Sequence, residues 1–185
     1  RGFNIFEERE NTDNETIISS FNSIFDTELR FNDQWKLSSQ VGIQWDQSSQ
    51  EQYVGENTFN MRNIREDSSY DENQYIVPKG GMHTVNNATT SQITWKVQGE
   101  YKNTFNDIHD IQIMAGSEIR KNWYNTQFTA GYGYDPKTLT TKPLNIRNDK
   151  DAEKYKLHTK TYQENAFASF YTTGSYSFMS RYTIG

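Results

Sequence analysis

The sequence predicts an all-β fold, a segment of about six antiparallel strands of a large transmembrane β-barrel with short periplasmic turns and long extracellular loops. Three observations predict it. Stretches of ten or more residues alternate between an apolar and a polar parity, the composition is polar yet rich in aromatics, and short turns alternate with long connections. Of the 185 residues, 33% are hydrophobic and 15% aromatic, with a mean hydropathy of -0.97. A disordered chain that polar would be poor in aromatics. A barrel has both properties, because its lumen and loops are wet and only alternate residues touch lipid.

In the first strand Phe21, Phe25, Leu29 and Phe31 share one parity, and Asn22, Asp26, Glu28 and Arg30 the other. The N-D-Q at 32–34 reads as a hairpin turn. The second strand sets Trp35, Leu37, Val41, Ile43 and Trp45 against Lys36, Ser38, Gln40, Gln44 and Asp46. The third, over about 91–105, carries Ile93, Trp95, Val97, Tyr101 and Phe105 on one face, with Gln92, Lys96, Gln98, Glu100 and Lys102 on the other. A polar turn, N-D-I-H at 106–109, leads to a fourth strand with Ile111, Ile113, Ala115 and Ile119 against Gln112, Glu118 and Arg120. The fifth spans roughly 162–176 with aromatics on both faces, and a tight turn around 178–180 opens a sixth. The connections at about 50–88 and 125–160 are expected as long loops. Phe21 to Phe31 and Trp35 to Trp45 are ten-residue intervals. At about 3.3 Å per residue and a tilt of about 45° each projects to roughly 23 Å, close to the roughly 25 Å apolar band of an outer-membrane barrel.

The net charge of -5 argues against a nucleic-acid partner, which calls for a basic stripe. Charge is uneven, however. Residues 46–88 hold seven acids against three bases, and 133–162 hold seven bases against four acids. The two stretches could attract one another, or be solvated loops with chance bias.

Cysteine is absent, and His83, His109 and His158 lie far apart, so no metal site is expected. His109 reads as a turn residue. Asp149, Asp151 and Glu153 could offer oxygen ligands, but they lack the glycine and distal glutamate of a calcium loop. No phosphate-cradling glycine motif occurs and no carboxylate pair stands out. The expectation is therefore no enzyme, no cofactor and no metal. What remains is W-Y-N-T-Q-F-T-A-G-Y-G-Y at the outer rim of the fourth strand, where Trp123, Tyr124, Tyr132 and Tyr134 are the candidate ligand-binding residues. Flat rings with polar handles suit sugar faces, and they also suit a lipid-interface girdle or loop packing, the commoner use of such rings. Tyr70, Tyr75 and Tyr155 rank below them.

The stretch Y-K-N-T-F-N-D-I-H-D-I-Q-I-M-A-G-S-E, from Tyr101 to Glu118, resembles the barrel of SusC-like TonB-dependent outer-membrane transporters. The C-terminal E-N-A-F-A-S-F-Y-T-T-G-S-Y-S-F-M-S-R-Y-T-I-G is similar to a later hairpin of that family. The resemblance implies that residues 1–185 are one partial barrel domain, a piece of a longer chain whose plug domain and remaining strands lie elsewhere. It further implies a place in the cell outer membrane and uptake of a glycan or peptide substrate. A SusD-like lipoprotein would act as lid, and the TonB complex would act through segments absent here. The alternative is a secreted all-β carbohydrate-binding or adhesion domain whose dry faces pack together as a sandwich.

Overall fold

The computed structural model describes residues 2–185. Helix α1 (Ile5–Glu10) precedes strands β1 (Thr12–Arg30) and β2 (Trp35–Val54). Helix α2 (Phe59–Glu66) and the short strands β3 (Ser69–Asp71) and β4 (Gln74–Tyr75) follow. Then come β5 (Gly81–Phe105), β6 (His109–Tyr134), helix α3 (Asp149–Lys154), β7 (His158–Phe178) and β8 (Tyr182–Ile184). Six of the strands form one antiparallel sheet in the order β1-β2-β5-β6-β7-β8, and β3 pairs only with β4. The all-β expectation of about six antiparallel strands holds.

The short turns are built as their residues dictate. Asn32 Oδ1 accepts hydrogen bonds from the amides of Gln34 and Trp35, at 2.9 and 2.8 Å. Asn106 and Asp107 both have positive φ, 52° and 59°, as do Met179 and Ser180, 52° and 55°. Each pair is closed by a backbone bond across it, from Ile108 to Phe105 and from Arg181 to Phe178. This is the positive-φ hairpin geometry whose twist matches that of the flanking strands.

Three expectations need correction. The long strands run 19 to 26 residues, so the connections shrink to 55–80 and 135–157. The strands continue through stretches such as Q-S-S-Q-E-Q at 47–52, where neither face is apolar and alternation gives no signal. Second, those connections carry short helices. Thr58 caps α2 by accepting from the Met61 amide at 3.1 Å, and Asn148 caps α3 by accepting from the Asp151 amide at 3.0 Å. Third, His109 is the first residue of β6 rather than a turn residue. Its Nδ1 lies 2.6 Å from the Tyr176 hydroxyl, and its ring packs on Tyr176 and Phe178.

The chain divides into two compact units. Unit one holds the chain up to Ser19 with Gln47–Thr89 and Asn125–Tyr162, and unit two holds Ser20–Asp46, Thr90–Tyr124 and Gln163–Gly185. Unit one has a small core of Val54, Met61, Ile76, Val77 and Tyr155, with Ile64, Tyr70, Met82, Tyr132 and Leu144 packed against it. Gly80 and Gly133 approach there so closely that a Cβ on Gly80 would lie 2.6 Å from the Gly133 backbone, and Gly133 has a φ of 63°. Unit two has no buried residue at all.

Candidate functional site

In unit two the even parity of β1, β2 and β5 assembles a polar wall. Asp26, Glu28, Ser38, Gln40, Lys96 and Gln98 line a depression of about 430 Å³. Lys36 Nζ stands 3.3 Å from Glu28 and 3.5 Å from Glu100, and Glu28 also pairs with Arg30 at 2.7 Å. Gln98 donates to Glu100 at 2.7 Å and accepts from the Tyr171 hydroxyl at 3.1 Å. The Lys96 ammonium lies 5.5 Å from the centre of the Tyr171 ring. Tyr171 belongs to β7 and Gln98 to β5, so the ring crosses the intervening β6, and it does so at Gly116. A Cβ there would lie 2.4 Å from the ring. These ion pairs are solvated and add little to stability. Their effect is to fix the geometry of the wall.

The odd parity presents the opposite chemistry. Phe21, Phe25, Leu29, Trp35, Ile43, Trp95, Ile113 and Ile119 are all exposed large hydrophobics. Trp95 donates its indole N–H to Ser39 at 3.0 Å, so the polar tip of the ring is satisfied within the same face.

The four aromatic candidates fall in both units. Trp123 and Tyr124 end the β6 portion of unit two. The Lys121 ammonium sits 5.2 Å from the Trp123 ring and 2.5 Å from Glu164, and Tyr124 is exposed. In unit one Tyr132 meets Tyr155 edge-on at 6.2 Å. Burial, then the neighbouring Tyr155, holds the Tyr132 phenol above the ordinary tyrosine value. Tyr134 stacks on His83 at 4.8 Å and meets Tyr53 at 5.6 Å, while His83 Nε2 lies 2.6 Å from Glu51. These rings, with Asp13, Glu15 and Pro136, line a cavity of about 240 Å³. Burial also raises the Tyr53 phenol, with Tyr134 the next cause.

The acidic and basic stretches do meet in unit one, though not as ion pairs between their side chains. The Arg147 guanidinium lies 4.0 Å over Tyr70, Lys142 donates to the Lys79 carbonyl at 2.9 Å, and Asn145 donates to the Tyr75 carbonyl at 3.1 Å. Asp151 is engaged by Arg147 at 3.1 Å, so it is not free to act in a cation loop with Asp149 and Glu153. Among the described residues no group of three His, Cys, Asp or Glu side chains is placed to hold a metal ion.

Sequence reasoning missed three participants: Tyr171, Arg65 and Arg147. Arg65 stacks on Tyr75 at 4.3 Å. A glycine inside a strand marks close backbone or side-chain approach, so Gly116 in M-A-G-S was the available signal for Tyr171. Nothing in the loops foretold which arginine would meet which ring.

No family model matches the sequence, and no curated protein matches it. Solved structures do. The chain is similar to the RagAB peptide importer in its closed-closed state, with a TM-score of 0.69 at 14% identity, covering 91% of this chain and 17% of that one. The RagAB peptide transporter matches with the same values. The open-open state of the importer gives a TM-score of 0.70 at 15% identity, covering 91% of this chain and 16% of that one. The chain thus spans about a sixth of the length of the structures it matches. At this identity the likeness is one of fold: this sheet is folded like a segment of those importer chains.

Proposed function

We propose that residues 1–185 are a partial transmembrane β-barrel domain of a SusC-like TonB-dependent importer in the outer membrane. The observation that carries the reading is unit two, whose strands expose most of an apolar parity and hold no buried residue. Lipid is the natural cover for such a face, and the polar wall then faces the lumen or a plug domain. The cargo is an oligopeptide or a glycan. The likeness to the RagAB peptide importer favours the peptide. A SusD-like lipoprotein closes the outer side, and the TonB complex drives displacement of the plug through segments outside this chain. Import by capture, displacement and passage needs no covalent step, so the chain is assigned no catalytic residue, metal or cofactor. Trp123, Tyr124 and Tyr134 are offered as contacts for cargo or lid. Tyr132, packed on Tyr155, serves the loop core first. The secreted sandwich is the weaker reading, because it requires the dry faces to cover one another and unit two has no buried residue.

The test is the state of the protein in its native membrane. The expected outcome is a detergent-requiring species several times heavier than 21.7 kDa that resists dissociation on an unheated gel. A species of 21.7 kDa that is soluble without detergent would overturn the proposal.

A further inference from the structure

A cleft in unit one has a chemistry the importer reading does not use. It has a volume of about 350 Å³, and its lining includes Arg65, Tyr70, Asn73, Gln74, Tyr75 and Asn145, with no carboxylate among its lining residues. Arg65 is its one cation. The guanidinium carbon lies over the Tyr75 ring, 4.3 Å from its centre, a contact that does not use the N–H donors. Among the described residues it makes no salt bridge, and its buried Nε has no hydrogen-bond partner. An orphan buried donor is costly, and a charged one more so. The acids that share a second pocket with Arg65, Glu56 and Glu66, do not supply the missing partner: neither forms an ion pair with it, and Glu56 is held by Lys79 at 3.3 Å.

The cleft is also prepared on its other side. Asn145 is locked by its own amide donating to the Ile76 carbonyl at 3.0 Å and its side chain donating to the Tyr75 carbonyl at 3.1 Å. Its Oδ1 is left as an acceptor in the cleft that Arg65 also lines. Asn73, at a φ of 59°, and Gln74 add carboxamides. A fixed, stacked and unpaired guanidinium ringed by carboxamides and tyrosine matches a planar carboxylate carrying hydrogen-bonding groups of its own.

We infer that this cleft is a carboxylate-binding subsite, with Arg65 as the bidentate donor, Tyr75 as the platform that holds the fork, and Asn145 and Gln74 reading the polar atoms next to the carboxylate. It deepens the importer reading, from which it takes the cargo as the source of the carboxylate. Two cargo chemistries share that group, a peptide C-terminus or acidic side chain and a uronic acid.

Calorimetric titration of the intact detergent-solubilised protein tests it with three probes: a neutral pentapeptide with a free C-terminal carboxylate, the same peptide as its C-terminal amide, and a disaccharide ending in glucuronate. At least one carboxylate probe binds, the amide binds at least tenfold more weakly, and the preference shrinks as salt rises. Binding of the free peptide alone assigns the site to peptide cargo, and binding of the uronate alone assigns it to acidic glycan. Arg65→Gln brings the carboxylate probe down to the level of the amide, and Arg65→Lys, which keeps the charge and loses the fork, falls between. Equal binding of acid and amide by the unsubstituted protein, or binding of no probe, overturns the subsite, and because that comparison needs no variant it stands even if Arg65→Gln fails to fold. A membrane barrel with no carboxylate preference would sink this inference alone. A soluble 21.7 kDa protein with the preference would sink the importer alone.

Discussion

At Gly116 a hydrogen is the only side chain that fits. The Tyr171 ring occupies the space where a Cβ would be, 2.4 Å away, and the ring is held from its far side by the bond to Gln98 and by the Lys96 ammonium. Gly116→Ala must therefore displace a ring that has partners to lose, and overpacking of this kind costs about 1–3 kcal/mol. Tyr171→Phe keeps the ring and removes only its hydroxyl bond, worth about 0.5–1.5 kcal/mol. If the clash is the cause, Gly116→Ala on a Tyr171→Ala background costs much less than on the native one, because contacting residues do not add. Unfolding midpoints of the four species in lipid vesicles measure this, and strict additivity would refute the account. The candidate-site residues were less legible than this contact. Trp123 and Tyr134 were visible as rings at a rim, but the guanidiniums over Tyr70 and Tyr75 depend on tertiary approach between distant loops, which one-dimensional spacing does not encode.

At the scale of the strand, alternation was readable where one face is apolar and silent where neither is. The parity of Trp35, Leu37, Val41, Ile43 and Trp45 located β2 as far as Asp46, and the same signal located β5 from about residue 91. The extension of β2 to Val54 and the start of β5 at Gly81 lie in polar sequence that a period-two search passes over. Two adjacent positions test what the parity means. Ile43 is exposed on the apolar face, and Gln44 on the other donates to Asp46 at 2.6 Å. Ile43→Arg is expected to cost about 2–4 kcal/mol if that face meets the bilayer midplane, and Gln44→Arg about 0.5 kcal/mol or less. Equal costs in a vesicle unfolding assay would argue against lipid on the apolar side. The turns add a prediction of opposite sign. Met179 holds a φ of 52°, a conformation unfavourable for a long side chain and tolerated by asparagine. Met179→Asn should stabilise the last hairpin by about 0.5–1 kcal/mol, read as a higher denaturant midpoint, and an unchanged or lower midpoint would remove turn strain from consideration.

Across the whole molecule the two units are stabilised by different means. Unit two depends on alternation and a polar network, with no interior of its own. Unit one carries helices, a two-stranded ribbon and a core in which Met61 and Val77 are almost fully enclosed, an organisation that short, uneven apolar runs such as Y-I-V at 75–77 did not announce. Two half-buried phenols, Tyr132 against that core and Tyr53 beside Tyr134, give the unit a pH signature. Burial holds Tyr132 and Tyr53 above the ordinary tyrosine value, so the folded state keeps those protons more tightly than the unfolded chain does. Their contribution is intact below about pH 10, where both states are neutral, and is lost as pH rises through the folded values, since ionising either ring charges a group the fold has partly removed from water. The near-ultraviolet circular dichroism of the tyrosines should melt at a constant temperature between about pH 7 and 9 and at falling temperature above about pH 10. In Tyr132→Phe combined with Tyr53→Phe, which removes both ionisable groups while keeping the rings, the alkaline fall should flatten. An undiminished slope in that double variant would assign the alkaline loss to other groups, and would leave the Tyr132–Tyr155 and Tyr53–Tyr134 contacts as packing without a proton linkage.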